Sequence, residues 1–173
     1  MYNEQGQSLL EVIVVVTVGV VIVGSLVFAT IASLRNAQFA KNQSQATKLA
    51  QEAIEEVRSA RSRNGIIRGL QPGQDQLNWN DDWFWEHKIN DTCQPCYFKL
   101  ALMGELDFLS SGNTSLPDSA KLSDNPQFKR VVVLSDDGAN NAYKKEKKVS
   151  VIVGWTDFAG GHQSILTTIL RRI

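Results

Sequence analysis

Gln7-Ser-Leu-Leu-Glu11-Val-Ile-Val-Val-Val-Thr-Val-Gly-Val-Val-Ile-Val-Gly24 is the stretch whose reading decides the fold of this chain. From Val12 to Leu34 no residue is charged. A helix needs roughly 20 apolar residues to cross a bilayer, and this run supplies them. Glu11 stands at its beginning. A carboxylate in such a helix costs roughly 2.5–3.5 kcal/mol on insertion scales, so its presence asks for a functional reason.

The pattern changes after Arg35 but does not break. The sequence from Asn36 to Arg63 contains neither proline nor glycine. Ala46, Leu49, Ala50, Ala53, Ile54, Val57 and Ala60 recur in three- and four-residue steps, which place them on one helical face. Lys48, Gln51, Glu52, Glu55, Glu56 and Arg58 occupy the rest of the surface. A single helix from about Ser8 to about Arg63 is expected, roughly 80 Å long at ~1.5 Å per residue. Asn64-Gly65 ends it, with the glycine supplying a left-handed cap.

The remainder divides in two. Residues 65–126 read as an irregular connection punctuated by Pro72-Gly73, Asp81-Asp82, Pro95, Ser110-Ser111-Gly112-Asn113 and Pro117, with one short strand from Tyr97 to Met103. Residues 127–173 read as an antiparallel meander. Its strands are Phe128–Leu134, Lys148–Trp155 and Gln163–Leu170, and its turns fall at Asp136–Asn141 and Ala159–Gly161. Val149, Val151, Val153 and Trp155 share one face, and Ile165, Thr167 and Ile169 alternate with Leu166, Thr168 and Leu170. The expected class is α+β: a long N-terminal helix, part membrane anchor (residues 7–34) and part amphipathic (residues 35–64), packed on a small antiparallel sheet.

Composition narrows the function. The chain has 173 residues, 18 Lys+Arg and 18 Asp+Glu, so no global field draws it to nucleic acid or anionic lipid. Two cysteines exclude a disulfide-dense scaffold. No Ser/His/Asp set, metal motif or phosphate loop points to an enzyme, and no cofactor or metal is expected. Met1 to Gly6 carries no Lys or Arg and precedes an apolar run too long for a cleaved secretory signal.

Gly6-Gln-Ser-Leu-Leu-Glu11, followed by an apolar helix, resembles the cleavage and methylation segment of type IV prepilins. Lys48 to Arg58 is similar to the amphipathic helix of minor pilins and pseudopilins. Lys148 to Asp157 and Ser164 to Leu170 are similar to their terminal strands. The resemblance covers roughly the first sixty and last forty-five residues, and the first match is the specific one. It implies that residues 1–6 are a leader cut after Gly6 by a prepilin peptidase. Gln7 then becomes the N-terminus, usually N-methylated, and Glu11 meets that N-terminal ammonium inside a filament. It further implies other pilin subunits, an inner-membrane assembly platform and the membrane as partners. The result is a single-pass protein with an extracytoplasmic head, assembled into a surface or periplasmic filament. Charge counting alone would place Arg35 and Lys41 in the cytoplasm; the resemblance places the head outside. The first mature residue is Gln7 where the family commonly has Phe, the leader lacks basic residues, and the helix proline of many major pilins is missing. These departures favour a minor pilin or pseudopilin over a major pilin. The expected function is that of a minor pilin, with a type II secretion pseudopilin or an uncleaved bitopic surface-binding protein as the alternatives.

Three further features invite chemistry. Cys93-Gln-Pro-Cys96 reads foremost as a structural disulfide in an oxidising exterior. A zinc site with His87 and His162, free thiols, and a redox C-x-x-C are the other readings. Trp79, Trp83 and Trp85 read as cover for the helix–sheet core, with a stacking surface as the functional alternative. Lys144-Lys-Glu-Lys-Lys148 reads as a solvated turn rather than a nucleic-acid contact. Asp136–Asn141 reads as a hairpin turn rather than a calcium loop.

Overall fold

The structure is a computed structural model that describes residues 4–112, 116–136 and 142–172, with side-chain surroundings from Leu9 onward. It comprises two compact units, Met1–Lys41 and Asn42–Ile173. One helix, α1 (Glu4–Ser62), runs through the division between them. Its apolar first part continues through Gly19 and Gly24 without interruption.

In the second unit the alanine-rich face of α1 is buried as its spacing predicts. Ala46, Ala50, Ala53, Val57 and Ala60 are fully enclosed. The end of the helix differs in one detail from expectation. Asn64, not Gly65, takes the left-handed conformation, with φ 55°. Its N–H donates to the Arg61 carbonyl at 3.0 Å, and Gly65 N–H donates to the Ala60 carbonyl at 2.8 Å. This is a Schellman cap with asparagine at its left-handed position, a conformation asparagine tolerates better than most residues. The asparagine is further held by its Oδ1, which accepts from Asn80 N–H at 2.9 Å. Gly65 is needed for a different reason: a Cβ there would press on Ala60 O and Cβ at 3.1 and 3.2 Å.

The described residues form a seven-stranded sheet. The strands are β1 (Ile66–Arg68), β2 (Gln76–Asn78), β3 (Cys96–Leu100), β4 (Leu106–Ser111), β5 (Phe128–Ser135), β6 (Glu146–Asp157) and β7 (Gly160–Arg171). Their spatial order is β2-β1-β4-β3-β5-β6-β7. All neighbours are antiparallel except β1 with β4. The β5-β6-β7 meander agrees with the sequence reading. The segment 65–126 does not: it supplies four of the strands, and two short helices besides, α2 (Asp82–Glu86) and α3 (Ile89–Thr92). The single strand expected at Tyr97–Met103 is Cys96–Leu100, and Met103 lies beyond it in a turn at φ 62°. Among the residues of the expected turn at 136–141, only Asp136 is described.

At β5 the sheet buries both faces. Its Val-Val-Val-Leu run puts Val132 and Leu134 into the core beneath α1. Val131 and Val133 enter a second cluster with Tyr97 and Ala120, flanked by Leu116 and Ile152. A continuous apolar strand is the pattern expected where both sheet faces are covered. On β6, Val149, Val151 and Val153 all point into the core under the helix. On β7 the helix-facing set is Ser164, Leu166, Thr168 and Leu170, while Ile165 and Ile169 stay half exposed.

Candidate functional site in the N-terminal helix

Residues Leu9 to Ile31 expose valine, leucine, isoleucine and phenylalanine side chains along the whole first part of α1. This helix is long and apolar enough to cross a membrane. Its polar groups fit such a setting. Thr17 Oγ1 donates to Ile13 O at 2.7 Å, Ser25 Oγ to Val21 O at 2.6 Å and Thr30 Oγ1 to Val27 O at 2.8 Å. Each hydroxyl thus satisfies itself on the backbone of its own helix, as a segment surrounded by hydrocarbon requires. Glu11 is the carboxylate of this stretch and is exposed. Gly6 and Gln7 lie inside the helix, and Gln7 precedes Glu11 by four residues, one helical turn.

Cys93 and Cys96 are joined as a disulfide with Cα atoms 5.2 Å apart. The pair bridges the end of α3 to the start of β3 and lies in the core. His87 stacks on Trp83 with ring centroids 4.8 Å apart, and His162 Nε2 lies 3.0 Å from Asp157 Oδ1. No group of three His, Cys, Asp or Glu side chains suited to a metal occurs among the described residues.

The tryptophans separate by role. Trp79 and Trp85 are fully buried, and Trp85 Nε1 donates to the Trp79 carbonyl at 2.7 Å. Phe84 packs edge-on against both, with centroids 5.3 Å apart in each case. Trp83 is only partly buried at the margin of the same core.

The sequence reading missed one charged group. Lys147, within the run that reads as a solvated turn, is wholly buried inside β6. Its Nζ lies 2.8 Å from Asp136 Oδ1 and 2.8 Å from the His87 carbonyl. Burial pushes the Lys147 ammonium below its ordinary pKa, against the pull of Asp136. A signal was available: Val149, Val151 and Val153 alternate inward, and one more step back lands on Lys147. Lys144 and Lys145 of the same run are exposed.

At the β6–β7 turn, burial works against ionisation of Asp157. Hydrogen bonds from Ala159 N–H and from His162 outweigh it and hold the carboxyl below the ordinary carboxylate range. A charge-mixed cleft of about 680 Å³ lies between α1 and the β3–β4 turn, lined by Glu52, Glu56, Arg63, Asp107 and Arg130. Comparison with known protein families, curated proteins and solved structures finds no match.

Proposed function

We infer that this protein is a membrane-anchored minor pilin of a type IV pilus-like filament, cut after Gly6 by a prepilin peptidase. The observation that carries the reading is the placement of Glu11, one turn after Gln7, at the start of an uninterrupted apolar helix. A buried carboxylate in lipid is costly, and so is an N-terminal ammonium. Pairing the two offsets part of both penalties, so a subunit gains most when seated in register beside its neighbour. The exposed apolar surface of Leu9 to Ile31 supports the same reading. It serves first as an anchor in the bilayer and then as a packing surface between subunits. The head, outside the cytoplasm, presents its own surface to the filament exterior, and the assembly platform extracts the subunit from the membrane.

The deciding experiment is the intact mass and N-terminal sequence of the protein from a membrane containing active prepilin peptidase. A start at Gln7, one methyl heavier, is expected, and Gly6→Val should leave the full precursor. An unprocessed start in the wild-type protein would replace this reading with that of an uncleaved bitopic protein.

A further inference from the structure

Lys147 is the charged side chain of the described core, and the filament reading makes no use of it. Asp136, its partner, is nearly enclosed, with 7% of its side chain exposed. Ser135 pairs with Lys148 at the end of the β5–β6 ladder, and Asp136 and Lys147 are the residues next to that pair. The rings of Phe84 and Tyr143 stand 5.4 and 5.3 Å from Nζ. Among the described residues the surrounding hydrogen bonds are sparse for two ions. An ammonium offers three protons, and a carboxylate has about four acceptor positions. Beyond each other, Lys147 has the His87 carbonyl at 2.8 Å, and Asp136 Oδ2 has the Asn90 N–H at 3.2 Å. One acceptor on the nitrogen side and one donor on the oxygen side are the complement of a secondary amide.

We propose that Lys147 and Asp136 condense in the folded protein to an intramolecular amide cross-link between β6 and the residue that follows β5. The Nζ–Cγ bond forms and the Cγ–Oδ1 bond breaks. Oδ1 leaves as water with two of the three ammonium protons. The third proton stays on nitrogen and donates to the His87 carbonyl, while Oδ2 becomes the amide oxygen under the Asn90 N–H. The two charges cancel, and no oxidant or co-reactant is consumed. In bulk water this condensation runs uphill because both ions are well hydrated. Burial has already removed that hydration, so losing both charges relieves a standing penalty. Fixed proximity replaces the encounter, which is worth effective molarities of about 10⁵–10⁸ M in well-oriented intramolecular reactions. The lowered lysine pKa adds to the geometry by favouring the neutral, nucleophilic amine.

The test is peptide mapping of the full chain, purified from producing cells, reduced, denatured and digested with trypsin. A branched peptide joining the Asp136 segment to the Lys147 segment is expected, lighter than its two linear parts by one water, with no cleavage after Lys147. Linear peptides of full mass, cut after Lys147, would overturn the proposal. Asp137-Gly138 can also lose water, as a cyclic imide, so Lys147→Met is mapped alongside. A linear Asp136 peptide one water light reports the imide; if that is the sole water-deficient species in the wild-type protein as in this variant, the cross-link is overturned. Fragmentation of the wild-type peptide locates the bond even where the variant folds poorly: fragments carrying Lys147 on Asp136 support it, and an unbranched series refutes it.

Discussion

Arg58 Nη2 on α1 donates to Thr168 Oγ1 on β7 at 2.8 Å. Further back on the same helix, Thr47 Oγ1 lies 3.3 Å from Ser164 Oγ. From Thr47 to Arg58 the helix climbs roughly 16 Å at ~1.5 Å per residue, and Ser164 to Thr168 covers roughly 13 Å at ~3.3 Å per residue. The two elements therefore run side by side in the same sense. Between these polar contacts α1 presents Ala50 and Ala53, both fully buried, so small side chains set how closely the helix approaches the sheet. Ala53→Leu should cost about 1–3 kcal/mol through overpacking. Arg58→Ala should cost less than about 1 kcal/mol, because its contacts lie in solvent. Denaturant midpoints of the detergent-solubilised chain would distinguish the two. Equal losses would mean that the polar contacts, not the alanines, hold the helix.

Gly104 provides a sharper test of the same docking. It sits at φ 76° in the β3–β4 turn, and a Cβ there would run into the Glu56 carbonyl of α1. The adjoining Met103 is held at φ 62°, its carbonyl accepting from Arg63 Nη2 at 2.8 Å. Gly104→Ala therefore meets both a left-handed backbone and a rigid neighbour. A loss of about 2 kcal/mol or more is expected, against less than about 0.5 kcal/mol for Leu102→Ala, two residues away and exposed. A Gly104→Ala variant as stable as the wild type would mean the turn can lift off the helix freely.

The legible parts of this fold are those with long, regular periods. The α1 face at Ala46, Ala50, Ala53 and Val57 repeats over several turns, and β6 alternates over many residues, so their patterns survive local noise. The strands β1 and β2 have three residues each, too few for a period of two to declare itself. Their position comes from non-local pairing: Ile67 sits beside Leu77 on one side and Leu106 on the other. Lys147 was hidden differently. Its neighbours Lys144, Lys145 and Lys148 make a basic run, and composition argued for solvent while parity argued for the core. Parity prevailed because Asp136, Phe84 and Tyr143 enclose the ammonium, a grouping that tertiary structure alone creates. At the N-terminus the spacing of Gly6, Gln7 and Glu11 is visible in sequence, and the role proposed for it is tested by processing and assembly rather than by the fold.

The β6–β7 turn should respond to acid. The folded Asp157 carboxyl lies below its ordinary value of 3.8 because Ala159 N–H and His162 stabilise its charged form. The folded state then binds this proton less readily than the unfolded state. Its contribution is fully present above pH 3.8 and is lost as pH falls through the lower folded value. Asp157→Asn should remove that part of the acid dependence and leave stability near neutral pH only modestly lower. The check is the thermal midpoint of both proteins across the acid range. Parallel acid limbs would show that other carboxylates carry the effect.

Glu11→Ala separates the cost of the carboxylate from its use. Removing a charge from the start of an apolar helix relieves a penalty of up to roughly 2.5–3.5 kcal/mol, so the variant should be retained in the membrane at least as well as the wild type. Cleavage after Gly6 should also continue. If Glu11 pairs with the N-terminal ammonium of a neighbouring subunit, the variant leaves that ammonium uncompensated in hydrocarbon. Its share in isolated filaments should fall several-fold while the membrane pool rises. Opposite signs in the two fractions are the informative result, because a general folding defect would lower both. Undiminished filament content, with the membrane pool unchanged, would show that the pairing does not drive assembly.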